Sequence, residues 1–477
     1  MIKKSIGLGA SVILLTACTV GPDYKKPETV NLPKQFANAQ SQVFSQDSVE
    51  KAWWKNFNDE LLSTLIDTTL VHNYDVQIAR ANLMQARALY MNSELNFLPQ
   101  ITSHSIFTDQ KRSAAALNNR AFVPRTLSLY NAGFDAFWEL DLFGRVRRSL
   151  EASSNEVEEV AASLRDVSVS LIAEVARNYL GLRGLQVQLN LSEQTIAHHE
   201  KLLELTQVRM DNGRGTELDS ATIRARLEVE RATLPDLKAA IARAIHRLSV
   251  LTGQMPDALF VQLNTPKVLP VMSKGVQIGN PADLLKRRAD IQVAERSLAA
   301  DSERIGVAMA DLFPRVTFVG SLSLESNTLK GMVAPGTESY SLGPKISWAF
   351  LDLGRVYARI NAADAKAQAS LAQYHQTVLN ALEETENALV NYRHELDKQV
   401  FLANAVEANE KAHHVKLLQF EAGSLDLLAI QESALRVLES KSQLAQSNTA
   451  VTVSLIAIYK SLGGGWENVS EKAPDLN

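Results

Sequence analysis

Cysteine is almost absent from this chain. Its 477 residues contain one, Cys18, so no intrachain disulfide can form. Long apolar runs are missing too: beyond the first residues none reaches the roughly 18 needed to cross a bilayer as a helix. A membrane span in this chain therefore has to be made of strands. Net positive charge is lacking as well, since the formal charge is −4, which gives no field for a nucleic-acid backbone. There is no phosphate-binding glycine loop, no HExxH-type metal motif and no CxxC. The pairs His198-His199 and His413-His414 fall on helices, where neighbouring side chains diverge by about 100°; they read as surface histidines, not as chelate faces. Eight scattered methionines form no soft-metal ladder. No catalytic residue, metal site or cofactor is expected. The hydrophobic share of 46% and charged share of 21% are those of an ordinary folded chain, long enough for about two or three domains.

The position of the lone cysteine accounts for it. Lys3 and Lys4 precede an apolar stretch from Ile6 to Leu15, of signal-peptide length. The stretch ends in Leu15-Thr16-Ala17-Cys18, which resembles a bacterial lipobox. On this reading residues 1–17 are removed, and Cys18 becomes the mature start, carrying a diacylglyceryl group and an N-acyl chain. Several acyl chains anchor firmly where one is marginal. By analogy with lipoprotein sorting, Thr19 in place of Asp directs the product to the outer membrane. Residues 18–57 then form a polar leader, made extended by Pro22, Pro27 and Pro33.

The rest of the chain is an internal duplication. Asn73-Tyr74-Asp75-Val76-Gln77-Ile78-Ala79 returns as Arg288-Ala289-Asp290-Ile291-Gln292-Val293-Ala294, an offset of 215, and Pro99 returns as Pro314. From Tyr130/Tyr340 onward the offset is 210, through Trp138/Trp348, Gly144/Gly354, Gly213/Gly423 and Gly253/Gly463. Repeat 1 spans 58–254, a linker 255–281, repeat 2 282–463 and a tail 464–477. Each repeat reads as a helix (about 74–97 and 282–312), a strand pair (about 100–140 and 315–351), a long helix (144–211 and 354–421), a glycine turn and a return helix (216–253 and 425–462).

Val316, Phe318, Gly320, Leu322 and Leu324 alternate with small polar residues, and Tyr340 to Phe350 alternates likewise. A period of two over about ten residues, with aromatics near one end, is the mark of an outer-membrane barrel strand. The first copy is rougher, with Leu127 and Leu129 out of step with Phe134, Ala136 and Trp138. Four strands cannot close on themselves, and an open edge in lipid leaves backbone groups unpaired, so closure needs further copies of the chain. Two copies would give eight strands and three would give twelve; only the wider ring keeps a lumen free of side chains.

The long helices carry a heptad seam. Leu150, Val157, Leu164 and Leu171 recur every seven residues, as do Ala161, Ser168, Val175, Leu182, Leu189 and Ile196. Each glycine-to-glycine run of 69 residues would reach about 100 Å as one helix. Gly181 and Gly184 interrupt the first and mark either a bend or a close crossing.

Cys18-Thr19-Val20-Gly21-Pro22-Asp23-Tyr24-Lys25-Lys26-Pro27, Trp53-Trp54 and the box from Arg288 to Ala300, ending at Phe313-Pro314, resemble the outer membrane factor (TolC-like) family. The likeness is to its OprM/NodT-like lipoprotein branch, which serves resistance-nodulation-division efflux systems. Ala289 stands where that family usually has proline. The resemblance implies a mixed α/β membrane protein: a homotrimer with a twelve-stranded outer-membrane barrel, a twelve-helix periplasmic tunnel and an equatorial domain. It implies docking to a periplasmic adaptor and, through it, to an inner-membrane transporter. It also implies a tunnel closed at its periplasmic tips. On that reading Asp426, Asp219 and Asp211 are gate candidates, in rings of like charge; the alternative for Asp219 and Asp426 is helix capping. Gly213 and Gly423 are turn formers and candidate adaptor contacts. The expected function is a passive exit duct for drugs or other small toxic compounds. The alternatives are the same duct carrying metal ions, or a lipid-anchored coiled coil without a pore.

Overall fold

A computed structural model describes residues 19–27, 32–39, 43–113, 115, 124–272 and 275–468. The signal segment, Cys18 and the end of the tail lie outside the described residues. The chain divides into two compact units, one built from residues 1–28, 84–159 and 294–374, the other from 29–83, 160–293 and 375–477.

In chain order the elements are β1 (Phe44–Ser45), α1 (Glu60–His72), α2 (Tyr74–Leu95), β2 (Gln100–Lys111), β3 (Thr126–Leu140), α3 (Arg145–Asp211), α4 (Glu217–Leu251), α5 (Phe260–Leu263), β4 (Val276–Gln277), α6 (Pro281–Arg287), α7 (Ala289–Ala310), β5 (Arg315–Ser326), β6 (Glu338–Ser347), α8 (Leu353–Glu421) and α9 (Leu427–Ser461). The two long helices run unbroken for 67 and 69 residues. Two expected elements differ. The helix expected over 282–312 is two, α6 and α7, because Arg288 is extended (φ −71°, ψ 121°) and sends its guanidinium to the last carbonyl of α9. The strand expected to reach Phe350 stops at Ser347: the Trp348 indole turns back to donate to the Leu312 carbonyl, and a turn from Ala349 to Asp352 leads into α8.

The first unit holds a four-stranded antiparallel sheet in the order β2-β3-β5-β6. Its register sorts most of the side chains by polarity. Phe107, Tyr130, Phe134, Trp138, Phe318, Leu322, Tyr340, Leu342 and Ile346 share one face, and most are exposed. The other face is mainly polar, with Gln100, Thr102, His104, Asn131, Asp135, Ser321, Ser323, Glu325, Ser339, Ser341 and Lys345, and also carries Ile106, Phe137 and Val319. Leu127 and Leu129 fall on this second face, which explains the broken alternation of the first copy. Among the described residues β2 and β6 each have one neighbouring strand, so their outer edges leave ladder groups without a strand partner there.

The leader segment 19–26 is part of this unit. Val20 N donates to the Phe143 carbonyl, Thr19 packs on Gly144, and Gly21 (φ +97°) lies so close to Gly306 that a Cβ on it would come within 2.5 Å of the Gly306 Cα. Arg148, its side chain only 4% exposed, binds Asp23 and Glu303 at 2.6 Å each and Glu151 at 3.2 Å. Tyr24 and Lys26 both donate to Glu295.

The second unit is helical. The expected seam is buried where α3 crosses it: Ala161, Leu164, Ser168, Leu171, Val175 and Leu182 are all under 8% exposed. Gly184 is a close crossing, since a Cβ there would overlap Thr449 Oγ1 of α9. Trp53 stacks flat on Tyr459 at 5.1 Å and meets Trp54 edge-on at 5.8 Å, which anchors the segment before α1 to α9.

Candidate functional site: the helix turns and the two sheet faces

Both long helices end the same way. Gly213 and Gly423 adopt left-handed φ values of +70° and +75°, and their N–H groups return to Met210 and Phe420. Nothing lies within 4 Å of a Cβ built on either, so dihedral angle alone calls for glycine there. Both turns are exposed.

The return helices start from side-chain caps. Thr216 Oγ1 accepts from Asp219 N, and the Asp219 carboxylate reaches back to Thr216 N, a reciprocal capping box. Asp426 is the N-cap of α9, accepting from Ala429 N at 3.0 Å. At the repeat offset of 210, Asp426 matches Thr216 and not Asp219, so the two turns carry their acids at different places. The hydrogen bonds from Thr216 hold Asp219 below the usual carboxylate range. The Ala429 N–H does the same for Asp426, with Arg209 adding to it. Asp211 is exposed and accepts from Gln207 Nε2 at 3.1 Å.

One participant is not evident from the duplication. Arg209 Nη1 lies 2.5 Å from Asp426 Oδ2 and so ties the first turn to the second. Its counterpart in the second copy is Gln419, so the tie exists once per chain. A basic residue in the last turn of a helix, next to an acidic cap, is the signal that marks it.

His199 corrects the surface reading of the histidine pairs. It is 8% exposed, with Nδ1 lacking a hydrogen-bond partner, and burial lowers its pKa. His198 contacts Gln431, and His413 contacts Ser433. Among the described residues no three His, Cys, Asp or Glu side chains gather as a metal site.

The sheet offers the second functional feature: one wall with an apolar face, a polar face and two free edges. No described helix is long and apolar enough to cross a membrane, whereas the strands of 10 to 15 residues reach barrel-strand length.

A family model described as "Outer membrane efflux protein" matches the chain twice, over residues 65–254 and 280–464. The chain belongs to that family. Nodulation protein T of Rhizobium leguminosarum bv. trifolii is 28% identical over 462 residues, covering 96% of this chain and 97% of the relative. The cation efflux system protein CusC of Escherichia coli (strain K12) is 26% identical over 463 residues, covering 95% and 97%. The toluene efflux pump outer membrane protein TtgC of Pseudomonas putida is 26% identical over 475 residues, covering 98% and 96%. Among solved structures, the outer-membrane channel OprN superposes with a TM-score of 0.86 at 38% identity, covering 94% of this chain and all of that one. The open state of the Neisseria gonorrhoeae MtrE outer membrane channel gives 0.81 at 25%, covering 96% and 100%. The fold is thus that of the TolC-like outer membrane channels, and this family member is an efflux channel of the Gram-negative outer membrane.

Proposed function

We propose that this chain is the exit duct of a tripartite efflux pump, passing drugs or other small toxic organic compounds outward without catalysing a reaction. The observation that carries the reading is the sheet: a lipid-compatible face, a solvent-compatible face and two free edges. Such a wall becomes stable in lipid only when β6 of one copy pairs with β2 of the next. Three copies make a twelve-stranded ring wide enough for a lumen. The long helices supply the periplasmic conduit, and the exposed turns at Gly213 and Gly423 are where an adaptor, itself carried by an inner-membrane transporter, would dock.

Thr19 packs on Gly144, directly after β3, so a lipid on the preceding Cys18 would enter the bilayer beside the base of the sheet. That supports Cys18 as the anchor. Asp426, with Arg209, is the favoured closing contact, and Asp219 and Asp211 are the secondary candidates.

The likeness to CusC supports metal ions as a second cargo class. The deciding experiment is accumulation of dyes, antibiotics, and copper or silver ions in cells lacking the protein, complemented with wild type and Cys18→Ala. Build-up of organic compounds, reversed by wild type, is the expected result. Selective build-up of metal would move the cargo to the second class. No change in any cargo, together with no conductance in planar bilayers, would leave the coiled coil without a pore.

A further inference from the structure

On the polar face of the sheet, a chain of hydrogen bonds that begins at one histidine joins three strands. His104 of β2 directs Nδ1 to Asp135 Oδ2 of β3 at 2.7 Å and Nε2 to Asn131 Oδ1 of β3 at 2.6 Å. The Asn131 amide is not free to turn over, because its Nδ2 donates to Glu325 Oε1 of β5 at 2.8 Å and a carboxylate only accepts. The Asn131 oxygen must therefore face His104, which has to donate from Nε2. It must also donate from Nδ1, because Asp135 is a carboxylate. The hydrogen-bond pattern is satisfied only by the doubly protonated ring, an imidazolium set between two acids.

The charge balance of this cluster is asymmetric. One imidazolium against the carboxylates of Asp135 and Glu325 leaves one negative charge, and losing the ring proton leaves two. The His104 side chain is 24% exposed and that of Asp135 51%, so the cluster meets the solvent on the polar face. The other charges on that side are further along: Glu139 and Lys345 lie two same-face rows beyond Asp135, Arg315 lies three, and Arg145 belongs to α3; Arg145 pairs with Glu139 and Arg315 with Asp311.

We propose that His104, Asp135 and Glu325 form the charge-selecting element of the duct's outer section, a ring of fixed negative charge that deepens as His104 loses its proton. The proposal rests on the duct reading, in which the polar face lines the lumen. Fixed carboxylates in a narrow aqueous passage favour cations and cationic solutes and disfavour anions. Asp219 and Asp426 are ionised throughout the neutral range and contribute a constant term.

The test is the reversal potential of the purified, full-length, lipidated protein in planar bilayers under a potassium chloride gradient, from pH 6 to pH 9. Wild type should gain at least about twofold in potassium-over-chloride permeability as pH rises. His104→Gln, neutral at every pH, should stay near the wild-type value at pH 9 across the range. Asp135→Asn should be less cation-selective throughout, with its transition moved to lower pH because the imidazolium has lost an anionic partner. A wild-type selectivity that does not change with pH, or a His104→Gln channel that titrates as wild type does, would overturn the proposal. A protein that inserts but carries no current would overturn the duct reading, and this one with it.

Discussion

Arg209 and Asp426 meet at 2.5 Å and join the last turn of α3 to the start of α9, and the same carboxylate caps α9. The two roles can be separated by substitution. Asp426→Asn keeps an N-cap of similar quality and loses the charge, whereas Asp426→Ala loses both and costs about 1 kcal/mol of helix stability. If the ion pair closes the duct, Arg209→Ala and Asp426→Asn should both raise conductance and sensitivity to large antibiotics, and neither should lower the melting temperature noticeably. A phenotype confined to Asp426→Ala would leave Asp426 with capping alone.

Acid should act on the same contact. Asp426 ionises more readily in the folded chain than in the unfolded one, so its contribution is fully present above the unfolded value near 3.9 and is lost as pH falls through the lower, folded value. Conductance should therefore rise only below about pH 4, and Asp426→Asn should remove that acid transition.

Arg183 is fully buried and meets no carboxylate directly among the described residues. It donates to Gln186 and to the carbonyls of Leu263 and Thr265, and lies over the ring of Tyr179, whose hydroxyl donates to Asp59. It thus pins the linker after α5 onto α3. Replacing it with alanine removes its bonds to Gln186 and Thr265 and empties the space beside Tyr179, while the Leu263 carbonyl keeps its bond from Gln186; Arg183→Ala should cost about 1–3 kcal/mol and lower the unfolding temperature and the yield of assembled protein. Unchanged thermal unfolding would show that the linker needs no such pin.

The crossing at Gly184 gives a paired test. Gly184→Ala should destabilise by about 1–3 kcal/mol, because the nearest atoms are Thr449 Oγ1 and Cγ2. Thr449→Ala removes both and should restore most of the loss, read as thermal unfolding of the double variant. Additive losses would place the strain elsewhere.

Much of this architecture was legible because it is written twice. Asn73 Nδ2 donates to the last carbonyl of α4 at Leu251, and Arg288 Nη1 donates to the last carbonyl of α9 at Ser461. Trp138 and Trp348 donate to Phe97 and Leu312, both at 2.9 Å. Each pair sits at matching positions of the two copies, so the repeat in sequence is a repeat in hydrogen bonds. What escaped the sequence is what occurs once. Arg209 faces Asp426 across the two turns, but the second copy has Gln419 in its place. The His104 cluster draws on three strands, and no spacing within one strand announces it. The break at Arg288 does recur, at Asn73 between α1 and α2, but an apolar pattern that runs helical on both sides hid it in the second copy. Likewise His199 resembles its half-buried neighbour His198 until the groove-lining residues of α4 and α9 are brought beside it.

The free edges of β2 and β6 bear on how the molecule comes to exist in a membrane at all. A single copy carries an apolar face that water rejects and unpaired ladder groups that lipid rejects, so neither solvent is a resting place for it. In the proposed ring of three copies, insertion and assembly become one event, and a newly exported chain must be shielded until its neighbours arrive. A copy damaged only along one edge would be worse than a missing copy, because it would join the ring and leave it unclosed.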